Sequence, residues 1–100
     1  IIGRFSSSSN NTFLVSDTGS QWINRGDFYV GYEGFGNNLT VSGGGHVDNV
    51  YDGFVGRYAS SSNNTVLVTG TGSRWMNRSD LYVGHEASGN SLTISNGGRM

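Results

Sequence analysis

The chain has 100 residues with 17 glycines, no proline and no cysteine, and a formal net charge of −1. Without cysteine there is no disulfide framework and no thiolate zinc site, and because every basic residue is an arginine there is no Schiff-base or lysine isopeptide chemistry. No apolar run approaches the ~18 residues of a membrane span, and no basic block is offered to nucleic acid or anionic lipid.

Taken from the start, Ile2-Gly3 sets a pattern of one apolar residue followed by glycine. The serines that follow, up to Asn10, have no base in fixed relation to them and read as a loop, not as nucleophiles. From Asn11 to Val15 the apolar residues stand two and four places after the asparagine, a period of two that predicts a strand with one buried face. Gly19 marks a corner, Trp22 and Asn24 a second short strand, and Asp27 precedes a third, Tyr29-Val30-Gly31. The same order returns as Asn37 to Val41, Gly45, Val47, Asn49, Asp52 and Phe54-Val55-Gly56. It returns again as Asn64 to Val68, Gly72, Trp75, Asn77, Asp80 and Tyr82-Val83-Gly84, and a last time as Asn90 to Ile94, Gly98 and Met100.

Two levels of repetition are therefore superimposed. Residues 1–53 are one repeat and residues 54–100 the second, and laid over each other without a gap they agree at about 28 of 47 positions. Each repeat divides once more, into units of about 25–28 residues with three short strands apiece. Such strands cannot bury their apolar faces within one unit, but stacking units at ~4.8 Å builds a parallel sheet on every side. The fold expected is all-β, a right-handed parallel β-helix of about four rungs forming a single solenoid segment. Ile2, Val30, Val55 and Val83 form one interior column, Phe13/Leu39/Val66/Leu92 and Val15/Val41/Val68/Ile94 two more, and Trp22, Val47, Trp75 and Met100 line the third wall.

Asn11, Asn37, Asn64 and Asn90 share the inward parity of the residues they precede, and buried amides must be hydrogen-bonded. Stacked rung on rung, they are expected to satisfy one another as a ladder, with Asn24, Asn49 and Asn77 as a second. Asp27, Asp52 and Asp80 recur before the valine strand, where turn capping with pairing to Arg25 and Arg78 is favoured over a calcium site. His46 and His85 occupy non-equivalent positions and read as solvent-facing variants. Tyr29, Phe54 and Tyr82 alternate with the inward valines and predict an outward aromatic stripe continued by Ile1, either a contact surface or a seam covered by the loop from Arg57 to Asn63. The candidate acids recur from unit to unit, as Asp27, Asp52 and Asp80 do and as Glu33 has Glu86, so no singular catalytic constellation, metal site or cofactor site is expected.

The runs GSQWINRGDFYVG and GSRWMNRSDLYVG, each followed by LTVSGGG or LTISNGG, resemble the autotransporter passenger-associated repeat, also called the PEP-CTERM-associated repeat. The resemblance spans nearly the whole chain. It implies a right-handed β-helical stalk in a large secreted or surface-anchored bacterial protein, adhesive or structural in role, with no catalytic residues to carry over. The function expected is a structural or adhesive segment, extracellular or on the cell surface, that stacks end to end or against neighbouring repeats of a longer chain. It touches surface glycans at most, and no nucleic acid or membrane interior. The alternative is a carbohydrate-binding or carbohydrate-cleaving β-helix.

Overall fold

The period-two segments become strands, and three strands make one turn of a parallel β-helix. The computed structural model describes residues 1–100 and contains ten strands and no helix. The first turn holds β1 (Thr12–Ser16), β2 (Gln21–Asn24) and β3 (Phe28–Val30). The second holds β4 (Asn38–Ser42), β5 (His46–Asn49) and β6 (Gly53–Val55), and the third β7 (Thr65–Thr69), β8 (Arg74–Asn77) and β9 (Leu81–Val83). β10 (Ser91–Ser95) opens a further turn.

Three parallel sheets result, in the orders β1-β4-β7-β10, β2-β5-β8 and β3-β6-β9. Phe13 lies beside Leu39, Leu39 beside Val66 and Val66 beside Leu92, with Val15, Val41, Val68 and Ile94 in register two places on. Trp22, Val47 and Trp75 align across the second sheet, and Val30, Val55 and Val83 across the third. The molecule has about three turns and not four, because the outermost copies of the pattern form only partial turns. Ile2 makes a single bridge to Val30, and beyond β10 only Arg99 bridges back, to Arg74.

The core is the inside of the coil. Leu39, Val41, Val55, Val66, Val68 and Trp75 are fully or almost fully buried, each aliphatic side chain contributing about 1.5–3 kcal/mol by leaving water. The outermost column residues Phe13, Val83, Ile94 and Met100 stay about half exposed, since no turn covers them.

Phe28, an inward residue by its alternation with Val30, completes the packing. Its ring lies 4.7 Å from that of Trp22 and 5.7 Å from that of Trp75. Room for three large aromatics exists because the intervening turn supplies Val47 in the indole column and Gly53 beside Phe28. A Cβ on Gly53 would stand 2.8 Å from the Asn77 side-chain oxygen and 2.9 Å from a Leu81 methyl.

At the corner after the first sheet, each copy has a turn glycine in the left-handed region, Gly19, Gly44, Gly72 and Gly97, with Gly43 and Gly70 left-handed as well. The sequence spacing pointed to Gly45 and Gly98 instead. They follow the turn glycine by one place because the second and fourth corners are a residue shorter. Gly43-Gly44 and Asn96-Gly97 both have positive φ at the two central positions, the geometry of a type I′ turn, closed by the Gly45 and Gly98 amides donating to Ser42 and Ser95 carbonyls at 2.9 Å.

Candidate functional site

The side chains able to do chemistry are arranged as vertical columns, one member per turn. In the first asparagine column, Asn37 Oδ1 accepts from the backbone N–H of Asn11 at 3.0 Å and from its Nδ2 at 2.9 Å. Asn64 Oδ1 accepts from Asn37 N at 2.8 Å, and Asn90 Oδ1 accepts from Asn64 N at 2.8 Å and Nδ2 at 3.0 Å. Asn37 and Asn64 are fully buried.

The column has one flaw. Asn64 Nδ2 also donates to Ser61 Oγ, three residues before it, and that hydroxyl donates to the Gly34 carbonyl of the turn below. Three residues before Asn37 the chain has Gly34 in place of serine, and Asn37 Nδ2 is buried without a partner. The second column is complete. Asn24 Nδ2 donates to Asn49 Oδ1 at 2.8 Å and Asn49 Nδ2 to Asn77 Oδ1 at 2.7 Å, while each amide also holds carbonyls of its own corner, Gly26 for the first and Tyr51 and Asp52 for the next. Asn77 Nδ2 closes the series on the Ser79 and Asp80 carbonyls.

Glycine is required where the asparagines pack. A Cβ on Gly31, whose φ is +83°, would collide with the Asn64 amide and the Ser61 hydroxyl, and one on Gly3 or Gly56 would collide with Asn37 or Asn90.

The aspartate column caps backbone and does not pair with arginine. Asp27 Oδ1 accepts from the Asp52 backbone N–H at 3.2 Å, and Asp52 Oδ1 accepts from Asp80 N at 3.1 Å and Ser79 Oγ at 2.6 Å. Arg25 makes no ion pair, and Arg78 turns to Asp48, a partner the sequence reading missed, with bonds of 3.0 and 2.9 Å from Nε and an Nη. Asp48 points outward from β5, and Arg78, next after β8, reaches back along the same outer face. The Arg78 hydrogen bonds hold the Asp48 carboxyl below its ordinary range despite partial burial, and Asp48 in turn raises the Arg78 guanidinium. No three of the acids and histidines gather where one ion could be held.

The aromatic stripe forms as a stack. Tyr29 and Phe54 are 5.0 Å apart and 8° from parallel, Phe54 and Tyr82 5.0 Å apart and 11° from parallel. The middle ring is not exposed, as the outward parity suggested it would be. Phe54 is only 7% accessible because its neighbours cover its faces, the His85 ring meets it edge-on, and the Arg57 guanidinium lies 5.3 Å from its centre. From the loop expected to fold over the stripe, Arg57 supplies this cover. His85 is therefore part of the stripe and also meets Arg57 at 2.7 Å, while His46 Nε2 lies 3.1 Å from the Gly72 carbonyl.

The Tyr29 and Tyr82 hydroxyls donate to Asp27 and Asp80. Burial foremost, then the Asp27 charge, raises the Tyr29 phenol; for Tyr82 the Asp80 charge leads and burial follows. Beside the stripe, Tyr32 and Tyr58 from successive turns meet with ring centres 4.9 Å apart and hydroxyls 3.4 Å apart, and that hydrogen bond is the first cause of a raised Tyr32 phenol. Ring edges, not ring faces, are what the central stripe offers to a partner.

In comparison with known proteins, no family model, no curated protein and no solved structure matches this chain.

Proposed function

We propose that this chain is a structural, load-carrying segment of a secreted or cell-surface β-helical protein, a piece of stalk or extracellular filament with an adhesive or scaffolding role. The observation that carries this reading is the use to which the polar side chains are put. Asparagines, aspartates, serines and the stripe rings bond turn to turn, with partners 25 to 28 residues away in sequence. Groups employed in this way stiffen an axis and leave few free donors or acceptors for a substrate. The half-exposed column residues Phe13 and Ile94 add a second support, because each is a surface on which another turn of the same pattern would pack. A glycan-binding reading has less support, since a sugar ring stacks on an open aromatic face and the faces of Phe54 are occupied by Tyr29 and Tyr82.

Electron microscopy of the concentrated protein, with averaging fine enough to find an axial repeat, tests the proposal. Fibres or rods with a ~4.8 Å rung spacing are expected. Compact isolated particles that bind members of a glycan array would overturn it in favour of a carbohydrate-binding module.

A further inference from the structure

We propose that Tyr32 and Tyr58 form an oxidative cross-linking site, at which a one-electron oxidant such as a haem peroxidase with hydrogen peroxide joins consecutive turns by a carbon–carbon dityrosine bond. The two phenols come from adjacent turns, 26 positions apart in sequence, and their hydroxyls touch at 3.4 Å with ring centres 4.9 Å apart. The rings stand 79° from parallel, so a biaryl bond between the ring carbons beside the two hydroxyls needs one ring to swing about its side-chain torsions and close on the other while the hydroxyls stay together. Backbone pairing fixes the approach, because the Tyr58 N–H donates to the Tyr32 carbonyl at 3.1 Å. Both rings are half-buried, and guanidiniums lie over them, Arg4 at 5.8 Å from Tyr32 and Arg57 at 4.4 Å from Tyr58. The arginines obstruct ring faces against a second molecule while the two hydroxyls remain in contact.

The other tyrosines are placed differently. Tyr29 and Tyr82 are separated by Phe54, and although the Tyr29 ring also meets Tyr32 edge-on at 4.9 Å, its hydroxyl is held by Asp27 as that of Tyr82 is by Asp80, while the Tyr32 hydroxyl meets only that of Tyr58. Tyr51 stands exposed on a corner. With no cysteine and no lysine in the chain, neither a disulfide nor a lysine isopeptide bond can link one turn to the next, and phenol coupling can.

Each phenol gives up one electron and its hydroxyl proton, leaving two phenoxyl radicals. These combine to form one carbon–carbon bond, and the hydrogen on each joined carbon moves as a proton to its own oxygen, restoring both aromatic phenols. The two electrons and two protons reduce one hydrogen peroxide to two waters.

The experiment treats the dilute protein with peroxidase and hydrogen peroxide, and follows dityrosine fluorescence, intact mass and peptide mapping. The expected product is a monomer lighter by two hydrogen atoms, with one cross-linked peptide pair containing Tyr32 and Tyr58 and a higher urea midpoint. Tyr58→Phe should bring fluorescence in the monomer to background while Tyr51→Phe leaves it unchanged. Phenylalanine is tolerated at this place in the pattern, since Phe5 is the counterpart of Tyr58 in the first repeat. Fluorescence confined to covalent dimers, monomer coupling that survives Tyr58→Phe, or oxidation with no coupling at all would each overturn the assignment.

Discussion

Asn49 shows what a single side chain contributes to this coil. Its oxygen accepts from Asn24, and its amide donates to Asn77 and to two corner carbonyls, with no surface left to water. Asn49→Ala strips partners from buried groups in three turns, and a loss of about 2–3 kcal/mol is expected, read as a lower urea midpoint at an unchanged slope. The ion pair at Asp48 sets a pH dependence. Its carboxyl is depressed in the fold, so the stability it adds is complete above the ordinary aspartate value of 3.8 and is lost as pH falls from there through the lower folded value. Thermal unfolding followed between neutral and strongly acidic pH should therefore show a shallower acid slope for Asp48→Asn than for the parent. Both asparagine columns were legible in the sequence, because an amide at inward parity in every repeat has few partners other than its own copies. The Asp48–Arg78 pair was not, since Asp48 and Arg78 have no repeating counterparts as a pair and meet only through the outer face of one sheet.

At the scale of the element, corners and strands differ in how strictly they constrain the chain. Gly19 has a positive φ with open space where a Cβ would go, whereas Gly31 has a positive φ with the Asn64 amide and Ser61 hydroxyl in the way. Gly19→Ala should cost about 1–2 kcal/mol for left-handed backbone alone. Gly31→Ala should cost about 4 kcal/mol and disrupt the first asparagine column as well, which calorimetry on the two variants would separate. Within the second and third sheets, Phe28→Ala would leave a void between two indoles and is expected to lower stability by about 3–5 kcal/mol. Strand positions and register followed from the period of two and the matched spacing of the repeats. The place of Phe28 in the core is implied by alternation with Val30 but was not read from the sequence, because a repeat-based reading passes over a position whose counterparts are Gly53 and Leu81. The corner glycines were displaced by one in alternate turns for a similar reason, as turn lengths vary where no sheet enforces them.

Across the whole molecule, 34 Å at its longest, strand pairing joins each turn only to its neighbours, and Phe28 of the first turn reaches past the second to Trp75 of the third. Stability then behaves as a sum of turn and interface terms. Strands β4 and β7 are paired on both sides, while β1 and β10 are each paired on one. Hydrogen exchange should show slowest amides in Leu39 to Val41 and Val66 to Val68, and faster exchange in β1 and β10, a gradient that a globular core of the same size would not show. The coil itself was legible from the 53-residue repeat and its halves, whereas the number of complete turns was not, because partial copies of a motif look like whole ones until pairing is counted.

The alternation of large and small residues in the indole column has a consequence for how the chain finds its fold. Trp22 and Trp75 are held apart by Val47, and Phe28 and Leu81 by Gly53. A segment that docked one turn out of place would set indole on indole and benzyl on leucine in space that holds one of each, while elsewhere valine would face valine and glycine would face glycine across a void. Misregistration by a single turn is thus penalised sterically although the backbone hydrogen bonds would be unchanged. Displacement by two turns carries no such penalty, since tryptophan again meets tryptophan's place. Proofreading of assembly in this architecture therefore has a grain of 53 residues, and errors that escape it should be whole-repeat exchanges between chains.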